Sequence, residues 1–172
     1  MKKLTLPLDK KVIRSLKAGE EILLSGPVLT ARDQAHRRLA EAIKQGIRLP
    51  VSLKGQVVYY CGPTETPPGR VIGSCGPTTA SRMDAFSLPL MKAGLAAMIG
   101  KGDRSMEVAR AAGRYGAVYF LAYAGCGALI SRFVTSKRTI AYRDLGPEPA
   151  DGAVDHFPDT DCHPFNLESC CG

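Results

Sequence analysis

Three turns in this 172-residue chain place a cation at the start of a helix or in the turn just before one. They are Thr30-Ala31-Arg32-Asp33, Gly76-Pro77-Thr78-Thr79 with Arg82 one turn later, and Ile99-Gly100-Lys101-Gly102 ahead of Ser105. A helix start already carries unpaired N–H groups and a partial positive charge, so a cation there is misplaced unless an anion joins it. A helix N-terminus with an added arginine is a ready carboxylate site. Each turn also follows an apolar run, and in α/β sheets ligands gather at the carboxyl ends of strands. Arg32, Arg82 and Lys101 together could hold a small dicarboxylate by both ends. Each residue also has an ordinary structural reading. Thr30 and Thr78 are good helix caps, the three cations could be solvated, and His36 could pack beneath the Arg32 loop instead of touching a ligand.

The elements that must position these turns read as alternating strands and helices. "LTLPL", "EEILLSG", "QVVYYCG", "RVIGSCG", "LAAMIGKG", "AVYFLAYAG" and "RTIAYRDLG" are strand-like. "DKKVIRSLKAG" is a helix capped by Asp9, and "TARDQAHRRLAEAIKQG" a helix with Thr30 as cap and Asp33 near a capping-box position. "TTASRMDAFSLPLMKAG" reads as a helix broken near Pro89, and "SMEVARAAGRYG" as one capped by Ser105. The pattern predicts an α/β fold in a single domain over residues 1–157, with an irregular, acidic, Cys-containing tail over 158–172.

Bulk properties exclude several function classes. The opening "MKKLTLPLDKK" lacks the apolar core of an export signal, and the uncharged stretch 116–131 falls short of the ~20 residues a membrane span needs. A soluble, cytoplasmic protein with reduced thiols is expected, and no membrane partner. The six cysteines form no Cys-x-x-Cys pair, so Cys61, Cys75 and Cys126 read as small core or near-site residues. The net charge of +7 is split: residues 1–143 hold all 23 Lys and Arg against nine acids, and residues 144–172 hold seven acids and no Lys or Arg. A basic body suits anionic partners, but its cations are not interleaved with aromatics and no nucleic-acid motif occurs. Small anions are the simpler expectation, with no nucleic acid. Gly125-Cys126-Gly127 lacks the third glycine of a dinucleotide fingerprint, and no Walker loop, His-Glu-x-x-His or Gly-x-Ser-x-Gly is present.

The segments "TARDQAHRR", "YYCGP", "SCGPTTASRMD", "MIGKG" and "AYRDLGPE", in this order, resemble the β subunit or C-terminal half of class I fumarate hydratases. The related L(+)-tartrate dehydratases share the pattern. The resemblance covers roughly residues 1–157 and implies a swivelling β/β/α domain with a mixed sheet of short strands, hinged to admit substrate. It implies half an enzyme, inactive alone, whose α subunit carries three cysteines holding a [4Fe-4S] cluster with one iron open to substrate. An α2β2 assembly follows from the same likeness. Residue by residue, Thr78 matches the proposed catalytic base, and Arg82, Arg32 and Lys101 match substrate contacts. Cys61 and Cys75 match no cluster ligand.

The activity so implied is reversible dehydration of a 2-hydroxy dicarboxylate, (S)-malate to fumarate, with L(+)-tartrate to oxaloacetate as the alternative. A dicarboxylate-binding module without catalysis is a further alternative, against which the intact Thr78, Arg82, Arg32 and Lys101 speak. The chain departs from the family after "VDHFP", where it reads "DTDCHPFNLESCCG". Cys162-His163 and Cys170-Cys171 could bind a metal there, though adjacent cysteines chelate poorly in a tetrahedral site.

Overall fold

The computed structural model describes residues 1–145 and the backbone of residues 154–157 and 163–167. Strand β1 (Lys2–Thr5) leads through helix α1 (Lys10–Arg14) to β2 (Glu21–Ser25), and the two strands pair in parallel. Asp9 caps α1 by accepting the Lys11 N–H at 2.6 Å, as its side chain and position predict. Then follow β3 (Val28–Thr30), α2 (Asp33–Lys44), β4 (Val57–Tyr59), a 3-10 turn (Ala80–Met83) running into α3 (Asp84–Lys92), and β5 (Ala97–Gly100). The described chain closes with α4 (Met106–Tyr115), β6 (Val118–Leu121), α5 (Gly127–Ile130), β7 (Arg138–Ala141), β8 (Val154–Phe157) and β9 (His163–Leu167).

All these strands join one mixed sheet in the order β1-β2-β9-β6-β5-β4-β3-β8-β7. Its centre, β6-β5-β4-β3, is parallel, and β8 and β9 run against it. Period-two alternation assigns each strand residue to one of two apolar layers. Val57, Tyr59, Ala97, Ile99 and Phe120 face a layer with Ile13, Ile72 and Cys75. Val58, Tyr60, Met98 and Tyr119 face the other, with Leu39 of α2, Leu90 of α3 and Val108 of α4. Strands buried on both sides read as unbroken apolar runs, which is why "VVYY" and "AAMIG" show so little polar alternation. The architecture is the α/β class expected.

Several elements differ from the sequence reading. Thr30 is no helix cap: it ends β3, 1 % exposed, paired between β4 and β8, and α2 begins only at Asp33. A β-branched residue next to a parallel neighbour gains more from the sheet than from capping. "RVIGSCG" forms no strand. Ser74 instead pairs with its own loop, its carbonyl accepting the Thr64 N–H and its N–H donating to Thr64 Oγ1, each at 2.9 Å. Gly73 permits that fold-back, because a Cβ there would strike the carbonyl oxygens of Thr64 and Glu65. Pro89 does not break α3, which runs through it to Lys92 and leaves only the carbonyl of exposed Ala85 without its helical donor.

The tail over 158–172, read as irregular, contributes β9 to the sheet. That strand fills the slot between β2 and β6, pairing Ile22 with Phe165 and Phe120 with Leu167, so neither strand presents an open edge there. The rest of that segment, including Cys162, Cys170 and Cys171 and with them the proposed metal site, lies outside the described residues. Among the described residues no helix is long and apolar enough to cross a membrane.

Candidate active site

The register of the parallel strands sets where the candidate residues emerge. Thr30 pairs with Tyr59, and Tyr59 with Ile99, so β3, β4 and β5 end at one level. Arg32, the continuation past Tyr59 and Lys101 therefore leave the sheet along a single carboxyl edge. Thr78 is brought to that edge by main-chain bonds. Its N–H donates to the Tyr60 carbonyl at 2.6 Å, and its carbonyl accepts the Lys101 N–H at 3.1 Å. Ala80 N–H then donates to the Lys101 carbonyl at 2.8 Å, so residues 78–80 lie against Lys101 like a short added strand. Thr78 and Lys101 are thus held adjacent by main-chain bonds that do not involve their side chains.

Close packing under this edge requires Gly100. A Cβ there would come within 2.8 Å of the Tyr60 ring and 3.1 Å of the Ala80 methyl. From the opposite side, Tyr59 anchors the loop that carries Thr78 by donating its hydroxyl to the Cys75 carbonyl at 2.7 Å. Burial pushes the Tyr59 phenol well above its ordinary range, so it stays a donor.

Arg32 and Arg82 meet on Asp33. Arg82 donates from Nε to Asp33 Oδ1 at 3.0 Å and from Nη2 to Oδ2 at 2.7 Å, and Arg32 Nε lies 3.8 Å from the same Oδ2. Arg32 is the residue before α2, with φ −122° and ψ −164°, not the second helical residue that the sequence suggested. Its Nε is buried without a hydrogen-bond partner. Arg82 is half exposed.

His36 packs beneath the Arg32 turn. Nδ1 donates to the Arg32 carbonyl at 2.9 Å, and the ring meets Tyr60 edge-on with centroids 5.0 Å apart. Burial lowers its pKa to about 4, so it is neutral near pH 7 and supports the turn without adding charge.

Sequence reasoning missed the residues that brace the edge from within. Arg104 is a buried guanidinium whose Nε donates to Asp84 Oδ1 at 2.7 Å, Nη1 to the Tyr60 hydroxyl at 3.1 Å and Nη2 to Ser87 Oγ at 2.6 Å. Its carbon centre lies over the rings of Tyr60 and Tyr119 at 5.4 and 5.2 Å. Burial opposes its charge, but Tyr60 and Asp84 more than offset this and raise its pKa. The second Asp84 oxygen accepts the Ser105 N–H at 2.8 Å. One carboxylate thus ties the Lys101 turn to the start of α3, two residues after Arg82. The only sequence signal was position: a cation three residues after Lys101 in the same glycine turn.

The chemistry of this edge, three cations and a hydroxyl, suits an anionic ligand. The groove of about 620 Å³ between α2 and α3, lined by Arg37, Ile43, Phe86, Leu88 and Tyr115 among others, includes none of the four candidate residues. An iron–sulfur cluster does not fit the described residues of this chain. Cys61 and Cys75 are buried in the sheet's apolar layer, Cys126 Sγ donates to the Tyr123 carbonyl at 2.6 Å, and no three His, Cys, Asp or Glu gather as a metal site.

The chain is 38% identical over 138 residues to "Fumarate hydratase 1, mitochondrial" of Leishmania major, and 38% over 127 residues to the anaerobic class I fumarate hydratase of Escherichia coli K12. These matches cover 78% and 73% of this chain but only 25% and 23% of the two relatives. It is also 31% identical over 150 residues to the β subunit of Escherichia coli L(+)-tartrate dehydratase, covering 85% of this chain and 73% of that subunit. The family described as "Fumarase C-terminus" matches residues 2–158, a span containing every residue of the edge. By that match, and by likeness to hydro-lyases of two substrate types, the chain belongs to the Fumarase C-terminus family.

Proposed function

We propose that this chain is the β subunit of a [4Fe-4S] hydro-lyase that reversibly dehydrates a 2-hydroxy dicarboxylate, (S)-malate to fumarate. It works with an α subunit that holds the cluster, in an α2β2 assembly in the cytoplasm. The carrying observation is the convergence of Arg32, Arg82, Thr78 and Lys101 on one carboxyl edge. Because the described residues do not fit a cluster, help for the departing hydroxyl is assigned to the partner, and this chain's share concerns the carboxylates and the C3 proton.

In this reading Arg82, Arg32 and Lys101 receive the two carboxylates. Loss of the C3 proton puts charge on the adjacent carboxylate, and cations already in place stabilise that charge without reorganising. Thr78 moves the proton at its Oγ. A threonine hydroxyl is a poor base at neutral pH, so it requires the cations beside it, or a partner carboxylate that takes its proton on. Backbone attachment at both its N–H and C=O holds it where such help can reach it.

Tartrate is the second reading, favoured by the extent of the match to an L(+)-tartrate dehydratase β subunit. Mixing the chain anaerobically with its α subunit, iron and sulfide, and then following fumarate from malate and oxaloacetate from L-tartrate, tests both. Turnover by the mixture that neither chain shows alone, cut about 100-fold or more by Thr78→Ala, is expected. An assembled, cluster-loaded complex that dehydrates neither acid refutes the proposal.

A further inference from the structure

Asp33 has a local reason to exist: it opens α2, where a carboxylate gains from the helix dipole. That reason requires no partner, yet the carboxylate is engaged on both oxygens by a guanidinium 49 residues away in the chain. The engagement is side-on. Asp33 takes the Nε hydrogen and one Nη2 hydrogen of Arg82, at 3.0 and 2.7 Å. A guanidinium is a rigid planar fork of five N–H donors. Occupying one side leaves the Nη1–Nη2 end, which matches a second carboxylate bidentately. Asp33 Oδ2 also lies 3.8 Å from Arg32 Nε, so one carboxylate stands between the two arginines.

Charge points the same way. Arg32, Arg82 and Lys101 with Asp33 sum to two positive charges, the complement of a dicarboxylate. Without Asp33 two neighbouring guanidiniums would be uncompensated. Arg82, already half exposed, would turn toward water.

We propose that Asp33 is a positioning residue: it grips the side of Arg82 and sets it beside Arg32, so that the free end of the fork meets a substrate carboxylate. This rests on the reading of Arg82 as a substrate contact.

The test is a double-mutant cycle in the assembled, cluster-loaded enzyme. It is read as kcat/KM on malate or L-tartrate and, separately, as calorimetric affinity for succinate, a dicarboxylate with no hydroxyl to lose. Asp33→Asn should cost about 10- to 100-fold when Arg82 is present, the worth of a charge-assisted pair. In an Arg82→Met background it should cost no more than about threefold, because the group it positions is gone. Asp33→Glu should recover part of the loss. Folding is checked by circular dichroism, with melting expected within a few degrees of wild type.

An equal cost in both backgrounds overturns the inference, since Asp33 would then act independently of Arg82. A harmless Asp33→Asn beside a damaging Arg82→Met overturns it too, and leaves the active-site reading standing. A harmless Arg82→Met in a working enzyme removes Arg82 from the site and takes the inference with it.

Discussion

Arg104→Met should be among the most damaging single changes in this domain. The side chain is 1% exposed and its three nitrogens each donate to a different residue, Asp84, Tyr60 and Ser87. Hydrogen bonds to a charged group are worth about 1.5–3 kcal/mol each, but methionine recovers some burial and sheds the cost of desolvating the guanidinium. What it cannot repair is the Asp84 carboxylate, 17% exposed and stripped of its cation. Removing one member of such a pair costs about 3–5 kcal/mol, which at this size lowers the melting midpoint by about 6–20 °C. Urea unfolding followed by circular dichroism reads the loss directly. Arg104→Lys, which keeps the charge and loses the fork, should fall between wild type and Arg104→Met. Adding Asp84→Asn to Arg104→Met should cost less than the two singles combined, because the stranded charge is gone. A loss under about 1 kcal/mol for Arg104→Met would refute the view that this network braces the edge.

Three further outcomes follow from the same geometry. Thr78→Ala should keep its stability to within about 1 kcal/mol, because the fold holds this residue by its backbone, while kcat in the reconstituted enzyme drops about 10²- to 10⁴-fold. His36 binds its proton less tightly folded (pKa about 4) than unfolded (6.5), so its contribution is intact above pH 6.5 and is lost as pH falls toward 4. Urea titrations should show a loss of roughly 3 kcal/mol across that window, and His36→Gln should flatten it. Gly100→Ala drives a methyl into the Tyr60 ring and should destabilise by about 1–3 kcal/mol, with KM rising because Lys101 is the next residue.

Much of what is local in this fold could be read from the sequence, although Pro89 and the "RVIGSCG" run misled. Asp9 and Ser105 cap their helices from the positions their types suggest, since a cap depends on residues two or three places away. The candidate cations were found because strand-turn-helix punctuation is local as well. Thr30 misled because Thr-x-x-Asp is also what a β-branched strand end followed by a helix looks like; its neighbours on β4 and β8 decide the matter, and they are distant in sequence. Strand β9 was hidden because "HPFNL" has a proline and polar flanks, and its strand character rests on pairing with β2 and β6. Arg104 was unreadable for the same reason. Its partners lie 17, 20 and 44 residues away, and nothing in "GKGDRS" distinguishes a buried guanidinium from a solvated one.

Tyr60 shows how the edge divides its labour. Its N–H donates to Ile99, its carbonyl accepts Thr78, and its hydroxyl accepts Arg104, so one residue past the end of β4 joins the neighbouring strand, the candidate catalytic threonine and the internal brace. Every link is made by backbone or by buried groups, so the main chain at Thr78 and Lys101 is held in place without a ligand. The Arg82 tip behaves differently: it is half exposed, and among the described residues it is held by its two bonds to Asp33. A fixed base with one charged tip that is half exposed and held by a single carboxylate is suited to a ligand that a second surface presses onto it, because that tip can adjust while the base does not. That asymmetry supports the proposal that the site is shared between this chain and a partner.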